Sequence, residues 1–147
     1  MTALTTLHLT ATQQREFIEA LDGDIYRRLP KARMALVLRL EALVSDGSKK
    51  QTFDYLSLEH VLPQSPPIDS VWMKWFPDEE VRDAWTHRLA NLVPLHIRKN
   101  PSASNFDFET KKDVYFTGKG KSSPFILTNE ARAEREWKPD FLSERQR

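Results

Sequence analysis

Three prolines within five residues, Pro63, Pro66 and Pro67, bar any regular element from running through the middle of this chain. Proline has no N–H to donate to a ladder, and its ring crowds the preceding turn. Whatever comes before Pro63 must therefore stop there. The preceding stretch, Thr52 to Leu58, has strand composition, with Phe53, Tyr55, Leu56 and Leu58. That strand delivers a carboxylate and an imidazole side by side, Glu59 and His60, into the turn Val61-Leu62-Pro63-Gln64-Ser65. Neighbours in a strand point to opposite faces, but a strand that ends here can turn both toward one site. Downstream, Asn91 to Ile97 reads as a short strand, and Pro94 makes it an edge or the second arm of a loose hairpin. Asn91 and Asn100 stand nine residues apart. An acid, an imidazole and two amides suffice for one-metal phosphodiester hydrolysis. The carboxylate and an amide oxygen hold a hard cation, and the imidazole deprotonates a water.

The rest of the chain reads mainly as helices. Thr10-Ala11-Thr12-Gln13 has the form of a capping box, followed by Phe17, Ile18, Leu21 and Ile25 at helical spacing. Pro30 marks a break, and Ala32 to Val44 is a second helix, apolar on most sides and expected to be buried. Ser70 to Phe76 suggests a short helix, and Asp78 to Leu89 a clearer one, with acids in its first turn and Val81, Ala84, Trp85, Arg88 and Leu89 on one face. Asn100-Pro101 reads as an N-cap with proline at the first helical position. Phe106 to Phe116 is a further amphipathic helix, Gly118 to Pro124 a loop, Phe125 to Leu127 an apolar run, and Asn129 to Trp137 a helix. Pro139-Asp140 opens a last helix that the chain barely begins. The four tryptophans have apolar neighbours and read as core rather than as base-stacking platforms.

Composition sets the limits. The length suits one ordinary domain with a real core, and the hydrophobic and charged fractions are those of a soluble globular protein. The absence of cysteine rules out disulfides and a Cys₄ zinc site, and suits a cytoplasmic protein. No apolar run reaches membrane-spanning length. A net charge of +1 gives no bulk attraction to nucleic acid, but the charge is segregated. Residues 27–50 and 98–121 are basic and 54–85 acidic, which would suit a phosphate-binding surface around a metal site. Ordinary solvated faces explain the same charges.

The ordered series Glu59-His60-Val61-Leu62-Pro63-Gln64, Trp85, Arg88-Leu89-Ala90-Asn91-Leu92, Asn100, Ser104-Asn105 and Phe108-Glu109-Thr110-Lys111-Lys112 resembles the HNH branch of the His-Me finger (ββα-metal) endonucleases. More narrowly, it is similar to the C-terminal nuclease domain of GmrSD-type modification-dependent restriction enzymes. The resemblance covers roughly residues 34 to 147. Ala90 departs from it, since the family usually has glycine there, and a positive φ at that position would strain an alanine.

The resemblance implies an α+β fold: a small ββα-metal hairpin-and-helix core surrounded by α-helices. It implies a single nuclease domain over 1–147, with a helical N-terminal part to residue 50, the catalytic ββα region over 51–117 and a truncated helical extension over 118–147. The implied activity is metal-dependent cleavage or nicking of DNA in restriction or phage defence. His60 would be the general base. Glu59 and Asn100 would hold a divalent ion, Mg²⁺ foremost, with Mn²⁺ or another divalent ion as substitute. Asn91 would orient the loop that carries His60. Arg98, Lys99, Lys111 and Lys112 are candidates for contact with the phosphate backbone. Asn100 could equally serve as a plain helix cap, and Asn105 would then replace it as ligand.

The implied partners are DNA, modified phage DNA in the resembling family, and an N-terminal nucleotide-hydrolysing sensor domain that this chain does not include. A single site cuts one strand at a time, so a homodimer is one route to a double-strand break. Two rival readings stay open. One is a DNA-binding module of the same fold that has lost catalysis. The other is a protein-interaction domain in which the Glu-His pair is incidental.

Overall fold

The structure is a computed structural model and describes residues 8–45, 56–96, 105–115 and 123–147. It is α+β, as expected, with one antiparallel ribbon of two strands set among helices. Strand β1 (Leu56–His60) pairs with β2 (Leu92–His96), with Glu59 opposite Val93 and His60 opposite Leu92. Both strands are edges, so Pro94 costs no ladder bond to a third strand. Its carbonyl accepts a hydrogen bond from Thr128 Oγ1 at 2.7 Å.

Side chains alternate along a strand, so the ribbon has two distinct faces. Val93 and Leu95 face a core of Val61, Leu62, Trp72, Phe76, Phe108, Trp137 and Leu142. Leu92 and Leu58 face a second core around Ile25, Val37 and Leu127. Trp72 and Trp137 are wholly buried in the first core, and Trp75 and Trp85 pack partly buried against it.

The helices begin where the sequence supplies caps. Helix α1 (Ala11–Leu21) carries the expected capping box, with Thr10 and Gln13 exchanging hydrogen bonds of 2.9 and 3.2 Å. It ends before Gly23, and Asp24 caps a separate helix α2 (Ile25–Arg28). Ile25 thus belongs to α2 and not to the first helix. Helix α3 (Arg33–Val44) forms as expected, but it buries only Val37 and Glu41, and Leu43 and Val44 are exposed. Helices α4 (Val71–Trp75) and α5 (Glu79–Thr86) follow. Asp78 caps α5, which stops short of Leu89, and Val81 stays exposed. A 3₁₀ turn, Leu89–Asn91, leads into β2. Ala90 sits in that right-handed turn, whose torsions any residue adopts, so alanine is not strained there.

Helix α6 (Phe108–Thr110) runs directly into a π-helical turn, Lys111–Tyr115. The apolar run Phe125 to Leu127 opens helix α7 (Ile126–Ala133) rather than standing apart from it. Helix α8 (Pro139–Gln146) has proline in its first turn and extends nearly to the end of the chain. Residues 52–55 of the expected first strand, Asn100-Pro101, and most of the stretches 1–9 and 118–124 lie outside the described residues. None of the described helices is long and apolar enough to cross a membrane.

Candidate active site

Asn91 is the anchor of the site. Its side chain is wholly buried and all of its hydrogen-bonding capacity is used. Oδ1 accepts from the Leu62 N–H at 2.7 Å and from Trp137 Nε1 at 3.0 Å. Nδ2 donates to the carbonyls of Leu62 and Thr86, both at 2.9 Å. The Asn91 carbonyl also takes the Val61 N–H at 3.0 Å. One amide therefore fixes the turn that leaves His60, the end of α5, and a tryptophan from the C-terminal part.

Glu59 and His60 are both nearly buried, at 7% and 6% exposure. They are not turned toward one pocket. Each follows the ordinary alternation of the strand and faces its own side of the ribbon. On the side of Val93, Lys111 Nζ donates to Glu59 Oε1 at 2.8 Å and to the His60 carbonyl at 2.6 Å. On the side of Leu92, the His60 ring lies edge-on to Tyr26 at 4.2 Å between centroids and to His87 at 5.3 Å.

Among the described residues, two buried ring nitrogens lack a hydrogen-bond partner, His60 Nε2 and His87 Nδ1. The Gln64 amide lies 3.5 Å from the other His60 nitrogen. Burial first, and then His87, Lys111 and Arg33, push the His60 pKa down to about 3, against a small opposing pull from Asp24. Burial, with Arg27, lowers His87 as well, although Asp24 and Asp83 oppose it. Both rings are neutral at pH 7. His60 is a far weaker base in this setting than a histidine near neutrality.

The wall around His60 comes from the N-terminal helices, which the sequence had not connected to the site. The Tyr26 N–H donates to the His87 carbonyl at 3.2 Å, and Asp24 forms an isolated β-bridge with Arg88. The Arg33 guanidinium stacks 3.7 Å above the Tyr26 ring and donates to the Tyr26 carbonyl at 2.6 Å. Arg27 bridges Asp24 and Asp83. The aromatic and charged composition of residues 24–33 was visible in the sequence, but nothing local pointed it at His60.

Lys111 was expected to face a phosphate backbone and does not. Its side chain has no exposed surface, because it closes the Glu59 side of the ribbon. Burial lowers its pKa, and the Glu59 carboxylate opposes that shift. Lys112 is partly exposed. It pairs with Glu109 at 2.7 Å and donates to the Glu134 carbonyl at 3.0 Å. Asn105 is exposed. Arg98, Lys99 and Asn100 lie outside the described residues. His96 lies exposed at the far end of β2.

No three His, Cys, Asp or Glu side chains gather to hold a metal ion among the described residues, where the acid at the end of β1 is Glu59 alone. One carboxylate, supplemented by waters and substrate phosphate, is how Mg²⁺ is commonly held, whereas a structural zinc needs four protein donors. For a hydrated hard ion Glu59 would be the one protein carboxylate at this site among the described residues, and it is already paired with the Lys111 ammonium.

A family model for the C-terminal domain of GmrSD restriction endonucleases matches residues 11–147. The chain belongs to that family. It is a nuclease domain of a restriction system, and its substrate is DNA. The match extends the resemblance seen in the sequence toward the N-terminus, over α1 and α2, which include the wall around His60. No curated protein and no solved structure matches the chain.

Proposed function

We propose that this GmrSD-family domain is an HNH endonuclease that hydrolyses a DNA phosphodiester with a divalent ion, Mg²⁺ foremost. Glu59 and Asn100 hold the ion, His60 is the general base, and Asn91 orients the turn beyond His60. The bound ion would neutralise the scissile phosphate and favour departure of the 3′ oxygen. The residues of the chain do the rest. His60 takes the proton of the attacking water at its unpartnered Nε2. Asn91 holds Val61 and Leu62 in place so that β1 ends at a fixed angle. The products are 5′-phosphate and 3′-hydroxyl ends.

The observation that carries this reading is the Asn91 lock. A wholly buried asparagine with four side-chain hydrogen bonds spans the two arms of the hairpin at the residues after His60. The two neutral imidazoles fit an acceptor role at pH 7. The reading also makes a demand. His60 Nε2 is buried beside Tyr26 and His87, so DNA binding must bring it to water and to the same side as Glu59. Desolvation is the largest single cause of its pKa depression, and that part would be relieved on exposure. In a restriction system this effector would act on phage or other foreign DNA in the cytoplasm, directed by a sensor domain outside this chain. Two copies would be needed for a double-strand break in one encounter.

The deciding experiment is nicking of supercoiled plasmid with Mg²⁺ or Mn²⁺, beside His60→Ala and an EDTA control. Metal-dependent nicking by the wild type and none by His60→Ala is the expected result. Equal activity in both proteins would remove His60 as the base. Equal inertness with DNA binding retained would favour the binding-module reading.

A further inference from the structure

Lys111 is the most thoroughly buried charge described in the molecule, and the mechanism above does not use it. A surface lysine incurs no desolvation cost, whereas burying an ammonium stays costly even after the surroundings relax. Its neighbour Lys112 avoids that cost by reaching the edge of the fold. Lys111 cannot, because it shares the inward side of its turn with the wholly buried Phe108, three residues earlier. Its position is also anchored. The Lys111 N–H donates to the Asp107 carbonyl at 2.9 Å, and Asp107 Oδ1 accepts from the Val71 N–H at 3.0 Å, which ties the turn to α4.

The ammonium has two acceptors from consecutive residues, the Glu59 carboxylate and the His60 carbonyl. It thereby binds the side chain of one to the backbone of the next. Replacing a buried ion pair with apolar residues is often neutral for stability, so stability alone gives little reason for this pair. Orientation gives one. A glutamate has three rotatable bonds, and a carboxylate that must meet an ion at a fixed place gains from a charge-assisted bond on one oxygen.

We propose that Lys111 is a positioning residue for Glu59, its ammonium clamping the carboxylate to the end of β1 in the attitude in which it binds the divalent ion. This rests on the reading of Glu59 as a metal ligand. The same ammonium repels a cation, so the sign of the effect separates a clamp from a mere neighbouring charge. A merely electrostatic neighbour would tighten ion binding when neutralised, and a positioning clamp would weaken it.

The test is Mn²⁺ binding followed by electron paramagnetic resonance on the full chain without DNA, with folding checked by circular dichroism. Wild type, Glu59→Gln, Lys111→Met and Lys111→Gln are compared. Glu59→Gln should lose the Mn²⁺ site. Lys111→Met should bind Mn²⁺ about 10–100-fold more weakly, as loss of an outer partner of a ligand does. Lys111→Gln, whose amide can still donate, should fall between it and wild type. In plasmid nicking, the Mn²⁺ concentration for half-maximal rate should rise by the same factor, and the rate should recover at saturating Mn²⁺.

Folded Lys111 variants that bind Mn²⁺ as tightly as wild type, or more tightly, would overturn the clamp. Loss of the fold in both variants would also overturn it, by making Lys111 a requirement of the core. Should Glu59→Gln bind Mn²⁺ as wild type does, the ligand reading itself fails and the clamp fails with it. That outcome is distinguished by the Glu59 arm alone.

Discussion

His60 in the folded chain has its pKa pushed down to about 3, against about 6.5 for a free imidazole. Between those values the unfolded chain takes up a proton that the folded chain refuses. Stability contributed by the neutral ring is therefore complete above pH 6.5 and is lost as the pH falls toward 3. At pH 5 the loss from His60 alone is about 2 kcal/mol, and the lowered pKa of His87 adds to it in the same direction. Urea midpoints at pH 7 and pH 5 measure this. The difference should shrink by about 2 kcal/mol in His60→Gln, and an unchanged difference would mean that the ring is not buried as described. The same residues show what the sequence could disclose about the site. Glu59, His60 and Asn91 were legible because a strand end, a proline turn and an asparagine at the start of a second strand are local signals. Lys111 was not, since its partner lies 52 residues away and a lysine on an amphipathic helix ordinarily faces water. The opposite facing of Glu59 and His60 was legible in principle, because strand alternation dictates it. The ladder stays regular through His60, so the strand end does not twist both side chains one way.

Elements begin where a side chain satisfies their first N–H groups, and helix α7 takes its cap from another element. Its N-cap residue, Phe125, has no side chain able to accept. Glu41, on the buried side of α3, accepts the Ile126 N–H at 2.6 Å and the Leu127 N–H at 3.0 Å instead. A carboxylate here meets both orphan donors and the positive end of the helix dipole. Helix α7 in turn covers β2 through Thr128 and Leu127, so this cap helps to hold the ribbon. Glu41→Gln leaves one acceptor and sets an NH₂ group against an N–H. It should cost about 1–3 kcal/mol in urea unfolding and speed amide exchange at Ile126 and Leu127. A cost below about 0.5 kcal/mol, as for ordinary surface changes, would show the cap to be idle. Local caps, such as Thr10 with Gln13 and Asp78 with Val81, were readable from spacing alone. A cap supplied across 85 residues was not, and without it the run Phe125 to Leu127 could not be recognised as the opening of a helix. The split of the first helical stretch at Gly23 is hidden in the sequence because Ile25 keeps the hydrophobic period across the break.

The two cores on either side of the ribbon divide the described residues into parts the fold needs and a part it does not. Helix α1 has no buried residue, and Phe17 and Ile18 stand exposed along it. It is tied to the body by few contacts, among them Gln146 Nε2 on the Leu21 carbonyl at 3.0 Å and a loose Arg88–Asp22 pair at 3.8 Å. An eleven-residue helix without such packing is marginal in water. Its amides should therefore exchange with deuterium far faster than those of β1 and β2, which report near-global opening. Removal of residues 1–22 should shift the unfolding free energy by no more than about 1 kcal/mol. Gln146 would keep its bond to the Ala90 N–H, and the Asp24–Arg88 bridge would still seat α2. Removal through residue 32 is a different change. It takes away Ile25 from the second core and Tyr26 from the side of His60, leaving a cavity and two imidazoles open to water. That longer deletion should cost at least about 3 kcal/mol, on the scale of losing a buried large side chain. Equal stability of the two truncated chains, or α1 amides protected as well as those of the ribbon, would show that the N-terminal helices act as one unit. The division at Gly23 would then be geometric only.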